Sequence, residues 1–241
     1  MAGGRVVTGW CVGALAVLLL AAGCRYPRDV EQTLQRVQGG VLDVGLTENE
    51  PWVVRGAEPG GVEVVLVRRL ARQLNARVRW HWGAESELIP ALRDRQIDLL
   101  VGGLVESPWL MDQVALIKPY QESRVTVGFA AGAAMPPSLE GVRVAVPVIN
   151  KVFLALRDEG AIARRYADRP PTGEPLAAAD WWLRAHGYRP GPWTLITDKH
   201  VVALPPGENA WLLRVQKHFS DAADVDALLR AETGGERRHE G

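Results

Sequence analysis

A chain of 241 residues with 47% hydrophobic and 23% charged residues has the make-up of a globular protein, with length for one large domain or two small lobes. Its 28 Lys and Arg balance 28 Asp and Glu, so the formal net charge of +0 excludes a binder of polyanions working through a global positive field. Nucleic acid is not an expected partner, and no basic stripe argues otherwise.

The N-terminus reads as a targeting segment. Arg5 precedes an apolar run over residues 6–20 that is too short for a stable bilayer span, and Ala21-Ala22-Gly23-Cys24 follows. This predicts a signal peptide over residues 1–23. Its end resembles a bacterial lipobox, in which Cys24 is lipidated and becomes the first mature residue; an ordinary secretory signal with an incidental Cys is the alternative. Of the 2 Cys, Cys11 lies in the segment to be removed, which leaves the exported chain no disulfide. Residues 24–39 read as a polar tether with room for a helical turn.

Residues 40–46 are apolar on both faces, as a parallel-sheet strand is. They run into Thr47-Glu48-Asn49-Glu50-Pro51-Trp52, a loop rich in acceptors beyond the strand's carboxyl end, where ligands bind in open α/β sheets. Over residues 62–74, Val62, Leu66, Leu70 and Leu74 recur at i+4, predicting a helix with its arginines in water. Glu63 and Glu87 are assigned to solvated helix faces. Residues 77–82 alternate with a period of two and predict a strand. A helix over 88–95 follows, with Ser86 as its N-cap. A buried strand over 97–101 then opens at Gly102-Gly103 into Glu106-Ser107-Pro108-Trp109. The β-α-β-α-β order implies right-handed crossovers and a parallel sheet.

The runs Leu88-Ile89-Pro90-Ala91-Leu92, Asp98-Leu99-Leu100-Val101-Gly102-Gly103-Leu104 and Lys118-Pro119-Tyr120 resemble bacterial extracellular solute-binding proteins of family 3. The resemblance is close over residues 40–129 and 199–219. It implies an α/β fold of the type II periplasmic-binding-protein kind, in which two lobes joined by two hinge strands close on a small solute for an ABC importer. On this basis residues 40–128 form lobe one, residues 129–199 lobe two, and residues 200–235 a hinge strand and a helix returning to lobe one, before a tail over 236–241. Residues 124–129 and 200–204 are the expected hinge strands. Within lobe two, residues 142–146 read as a strand and residues 151–166 as largely helical, with Val152, Leu156 and Ile162 as apolar contacts. Residues 168–175 break regular structure, so the second lobe is expected to be shortened.

Departures from the family pattern bear on the ligand. Amino-acid binders of the family grip an α-carboxylate with an Arg shortly after the third strand, as a planar fork suits a carboxylate; that position here is Leu110. The family's Gly-Ser/Thr turn opening lobe two is replaced by Pro147-Val148-Ile149-Asn150-Lys151, and Pro147 has no N–H to offer. Acidic and aromatic groups remain. Candidate ligand contacts are Glu48, Asn49, Glu50, Trp52, Glu85, Glu106 and Trp109 on lobe one, and Asn150, Lys151 and Asp180 on lobe two, Asp180 standing where the family grips an amine. Carboxylates and Trp faces attract ammonium groups, so the expected solute is small, polar and amine-bearing. With 9 Trp in the chain, Trp80, Trp82 and Trp211 are assigned to packing, and one of Trp181 and Trp182 to the cleft.

No enzyme is expected. His81, His186, His200, His218 and His239 are scattered, and no HExxH, GxSxG, P-loop or GxGxxG occurs. Neither metal nor cofactor is implied. The expected protein is a lipid-anchored periplasmic monomer with a membrane permease as partner. The alternatives are a sensor or degenerate module of the same fold, whose cleft its own side chains fill, and a dehydratase-like enzyme.

Overall fold

The buried apolar runs of β1 (Val41–Leu46) and β3 (Leu99–Val101) lie side by side and parallel, with β2 (Arg77–Trp82) on the other flank of β1. This is a computed structural model describing residues 28–147, 150–167, 171 and 173–236; the expected signal peptide, Cys24, residues 148–149 and the last five residues lie outside these. The crossovers are α2 (Val62–Gln73) and α3 (Glu85–Arg93). α2 buries Val62, Leu66, Val67 and Leu70 against the sheet, the stripe its i+4 spacing predicts. After α4 (Pro108–Gln113), which Ser107 caps by accepting the Leu110 N–H at 3.3 Å, β4 (Ala115–Leu116) and β11 (Ala203–Leu204) complete a first sheet of order β2-β1-β3-β11-β4.

The second sheet is built around the long β5 (Gln121–Ala130). It has the order β10-β5-β8-β6-β7, from β6 (Arg143–Pro147), β7 (Ile162–Tyr166), β8 (Leu176–Ala179) and β10 (Ile196–His200), with β9 (Tyr188–Pro190) also paired to β5. Helices α5 (Asn150–Asp158) and α6 (Asp180–Ala185) accompany it. Two sheets with separate apolar cores make the α/β, two-lobed type II architecture. Between β7 and β8 no helix occurs among the described residues.

The chain passes from the first sheet to the second at Gln121, ahead of residue 128, and returns between His200 and Ala203. The single strand expected over residues 200–204 is therefore two: β10 pairs with β5 and β11 with β3 and β4, with buried Val201 and Val202 making the crossing. The helix expected over residues 151–166 also divides. Gly160, at φ 74, ends the α5 turn, and the following residues pair in parallel with β6, so Ile162 is an exposed edge residue while Val152 and Leu156 face the core as expected. α3 begins at Glu85, ahead of Ser86, with Glu87 accepting the Ala84 N–H at 3.2 Å.

Residues 24–39, expected as a tether, are docked from Asp29 onward by reciprocal capping. Asp29 accepts the N–H groups of Ala210 and Trp211 at the start of α7 (Asn209–Ser220), and the buried Glu208 accepts those of Glu31 and Thr33 at the start of α1 (Thr33–Val37). The last helix, α8 (Val225–Glu236), packs on both α2 and α6 and so touches both lobes. Trp211 is fully buried and donates its indole N–H to the Asp98 carbonyl at 2.8 Å, a packing role as expected.

Gly103 has φ 64, and a Cβ there would run into the Trp52 ring and the Asn49 amide. Gly103→Ala is expected to cost about 1–3 kcal/mol, read as a lower urea midpoint at unchanged slope.

Candidate functional site

The parallel strands β6, β7 and β8 end on the same side, and helix α5 starts there. At that carboxyl edge lies an open cavity of about 480 Å³, lined on the second lobe by Pro147, Lys151, Tyr166, Trp181, Trp182 and Asp198 and on the first lobe by the exposed Glu50. Its floor is open because β8 presents Ala177, Ala178 and Ala179. Trp182 stacks on His186 with ring centres 3.7 Å apart, which holds that indole in place. Burial raises the pKa of the Tyr166 hydroxyl above its ordinary value, so it stays protonated and able to donate. The charged groups of the lining are Glu50, Asp198 and Lys151, and the Lys151 ammonium lies 2.5 Å from the Asp198 carboxylate.

Beside the cavity, the crossing between lobes is filled by rings. Trp52, only 3% exposed, lies 4.0 Å from the His200 ring and meets Tyr120 and Trp181 edge-on at 6.3 Å each. Trp181 thereby joins the first lobe's core from a second-lobe helix. Its indole N–H donates to Ser123 Oγ at 3.1 Å, and the same oxygen lies 3.0 Å from His200 Nε2. His200 Nδ1 is buried and has no hydrogen-bond partner among the described residues. Burial lowers the His200 pKa from 6.5 to about 4, against the opposing pull of Asp198.

Glu63 is 0% exposed, not on a solvated face as expected. Its carboxylate accepts the N–H groups of Gly102 and Gly103 at 2.7 and 2.8 Å and the Tyr120 hydroxyl at 2.6 Å. The helix spacing hid this because Glu63 adjoins the apolar stripe and faces the end of β3, where bare amides need an acceptor.

Of the ten candidate contacts, Glu50 and Lys151 reach the cavity. Glu48 pairs with Arg55 at 3.1 Å on the surface, and the Asn49 amide donates to the Gly102 carbonyl at 2.8 Å. Trp52 is packed away in the crossing. Glu85 is exposed in the first turn of α3, and Trp109 is 59% exposed on α4. Glu106 is half-buried, and its backbone N–H donates to the Lys199 carbonyl at 2.9 Å. Asp180 lies between Arg124 at 3.8 Å and Arg184 at 3.5 Å, so its charge is already answered, and it is absent from the cavity lining. Asn150 begins α5, and its side chain lies outside the described residues. Leu110 is 3% exposed in the core, and the described lining has no arginine. Reading the residues missed Asp198 and Tyr166. Asp198 stands within β10, just before the crossing at Val201-Val202, a position that places side chains between lobes.

No curated protein sequence matches the chain. Among solved structures, an ancestral cationic amino acid solute binding protein superposes with a TM-score of 0.68 at 16% identity, over 84% of this chain and 97% of that one. The L-cystine solute receptor of Neisseria gonorrhoeae gives 0.68 at 14% identity over 84% and 97%. An ancestral cyclohexadienyl dehydratase gives 0.61 at 16% identity over 84% and 96%. These likenesses are of fold. The model of bacterial extracellular solute-binding proteins, family 3, matches residues 42–223, most of the chain, and the protein belongs to that family.

Proposed function

We propose that this protein captures a small, polar, amine-bearing solute in the cavity between its lobes and delivers it to an ABC-type importer from the periplasm, held to the membrane by a lipid on Cys24. The observation that carries the solute class is the cavity lining: Trp181, Trp182 and Tyr166 share it with two carboxylates, Glu50 and Asp198, while the position from which relatives grip a carboxylate holds a buried leucine. Glu50 comes from the first lobe and Asp198 from the second. An ammonium reaching both favours the closed arrangement by that difference in contacts, which is what drives hinge closure. The fold likeness to an ancestral cationic amino acid solute binding protein is consistent with this class.

The test is a thermal-shift screen of the lipid-free chain from residue 25 against amines, amino acids, organic acids and sugars, since a ligand of the native state raises its melting temperature. Amines are expected to stabilise, and Asp198→Asn to weaken their binding by about tenfold or more in calorimetry. A shift from organic acids or sugars alone would refute the amine reading.

A second reading, a non-transport module of the same fold, draws support from Trp52. The first lobe's aromatic residue is covered by His200, Tyr120 and Trp181, and α8 packs on α6 across the lobes. A chain that no solute stabilises, and whose small-angle scattering profile no solute changes, supports that module over a carrier.

A further inference from the structure

The cavity already contains a bound ammonium, its own. Lys151 stands in the first turn of α5, where the helix's positive amino end disfavours a cation. Its Nζ nevertheless lies 2.5 Å from Asp198 Oδ1, and both residues line the cavity. Among the described lining residues Lys151 is the single cation, set against Glu50 and Asp198. The rings of Trp181, Trp182 and Tyr166 line the same cavity.

We propose that Lys151 is an internal competitor: its ammonium holds on Asp198 the place that a solute's ammonium takes, so that capture exchanges one ammonium for another. The inference rests on the amine reading of the cavity. Two consequences follow from tethering. A competitor fixed on the same chain acts at a high effective concentration, so a small inorganic cation offering only charge does not displace it. A solute that also gains the indole faces and Glu50 has the contacts to displace it, so a penalty equal for every cation leaves Asp198 closed to potassium or sodium and still open to an organic ammonium. The exchange also releases the Lys151 ammonium into the cavity mouth.

The experiment uses putrescine as probe, titrated calorimetrically and by tryptophan fluorescence into the wild type, Lys151→Met and Lys151→Arg. A partly exposed pair closed about four-fifths of the time lowers the apparent affinity about fivefold. Lys151→Met is therefore expected to bind putrescine about fivefold more tightly and to respond to potassium chloride, whereas Lys151→Arg, which keeps the competitor, binds no tighter than the wild type. Wild-type binding that Lys151→Met leaves unchanged or weakens overturns the exchange and leaves the amine reading standing. Binding by neither protein overturns both. Should Lys151→Met fail to fold, the polar, uncharged Lys151→Gln decides, titrated with putrescine in the same way. Lys151→Gln is expected to bind putrescine about fivefold more tightly than the wild type, and unchanged or weaker binding overturns the proposal.

Discussion

Replacing Glu63 by alanine is expected to destabilise the fold by about 3 kcal/mol or more. The substitution strands three buried donors at once: the amides of Gly102 and Gly103 and the hydroxyl of Tyr120. Each unsatisfied group costs about 1–3 kcal/mol, partly offset because a buried carboxylate no longer has to be desolvated. For a chain of this length about 3 kcal/mol lowers the melting temperature by roughly 6–12 °C. Glu63→Gln keeps an acceptor for both amides and is expected to lose less than half as much. A loss of under about 1 kcal/mol in Glu63→Ala, by urea denaturation, would show that the Gly102-Gly103 turn does not depend on this carboxylate. Tyr120 shares the consequence, since burial and the neighbouring Glu63 carboxylate hold its phenol well above the ordinary tyrosine range and fix it as the donor.

Acid is expected to loosen the crossing between the lobes through His200. Its folded pKa, about 4, lies below the ordinary 6.5 because burial penalises the imidazolium, and the opposing pull of Asp198 and of the Gly103 backbone offsets this only in part. The unfolded chain therefore binds more protons between those values. The stability due to neutral His200 is complete above pH 6.5 and is lost as pH falls towards 4, a change of about 3 kcal/mol. Glu63 acts with the opposite sign: burial raises its pKa above 4.5, so its contribution declines as pH rises through that region. Urea midpoints from pH 7 to pH 4 should thus be compared between the wild type and His200→Phe, whose ring keeps the contact with Trp52 and does not titrate. The wild type is expected to lose about 3 kcal/mol more than the variant over this range, and parallel curves would remove His200 from the acid response.

The first sheet was legible because its order obeys local rules. The i+4 stripe of α2, the two-residue alternation of β2 and the apolar run into Gly102-Gly103 each carry their periodicity within a few residues, and the resemblance to family 3 rests on these same runs. The second lobe was harder. One glycine, Gly160, turns a helical pattern into a strand, and the crossing at Val201-Val202 is continuous in hydropathy although the chain changes sheets there.

For the site, the residue types were readable and their grouping was not. Acid and aromatic side chains in loops beyond strand ends pointed to an ammonium, and Glu50 and Lys151 are in the cavity. Asp180 and Trp52 have the chemistry but not the placement, because Arg124 and Arg184 occupy one and the rings of the crossing cover the other.

By itself the sequence determined the family, the parallel βα order of the first lobe and the lack of an arginine at position 110, since these depend on residue identity at short spacing. Only the tertiary structure decided that Asp198 lies against Lys151, that Glu63 is a buried anchor and that Trp181 reaches the other lobe's core. Each of those contacts joins residues far apart in the chain, and whether a charge or a ring meets solvent, ligand or core is settled by what the fold packs against it.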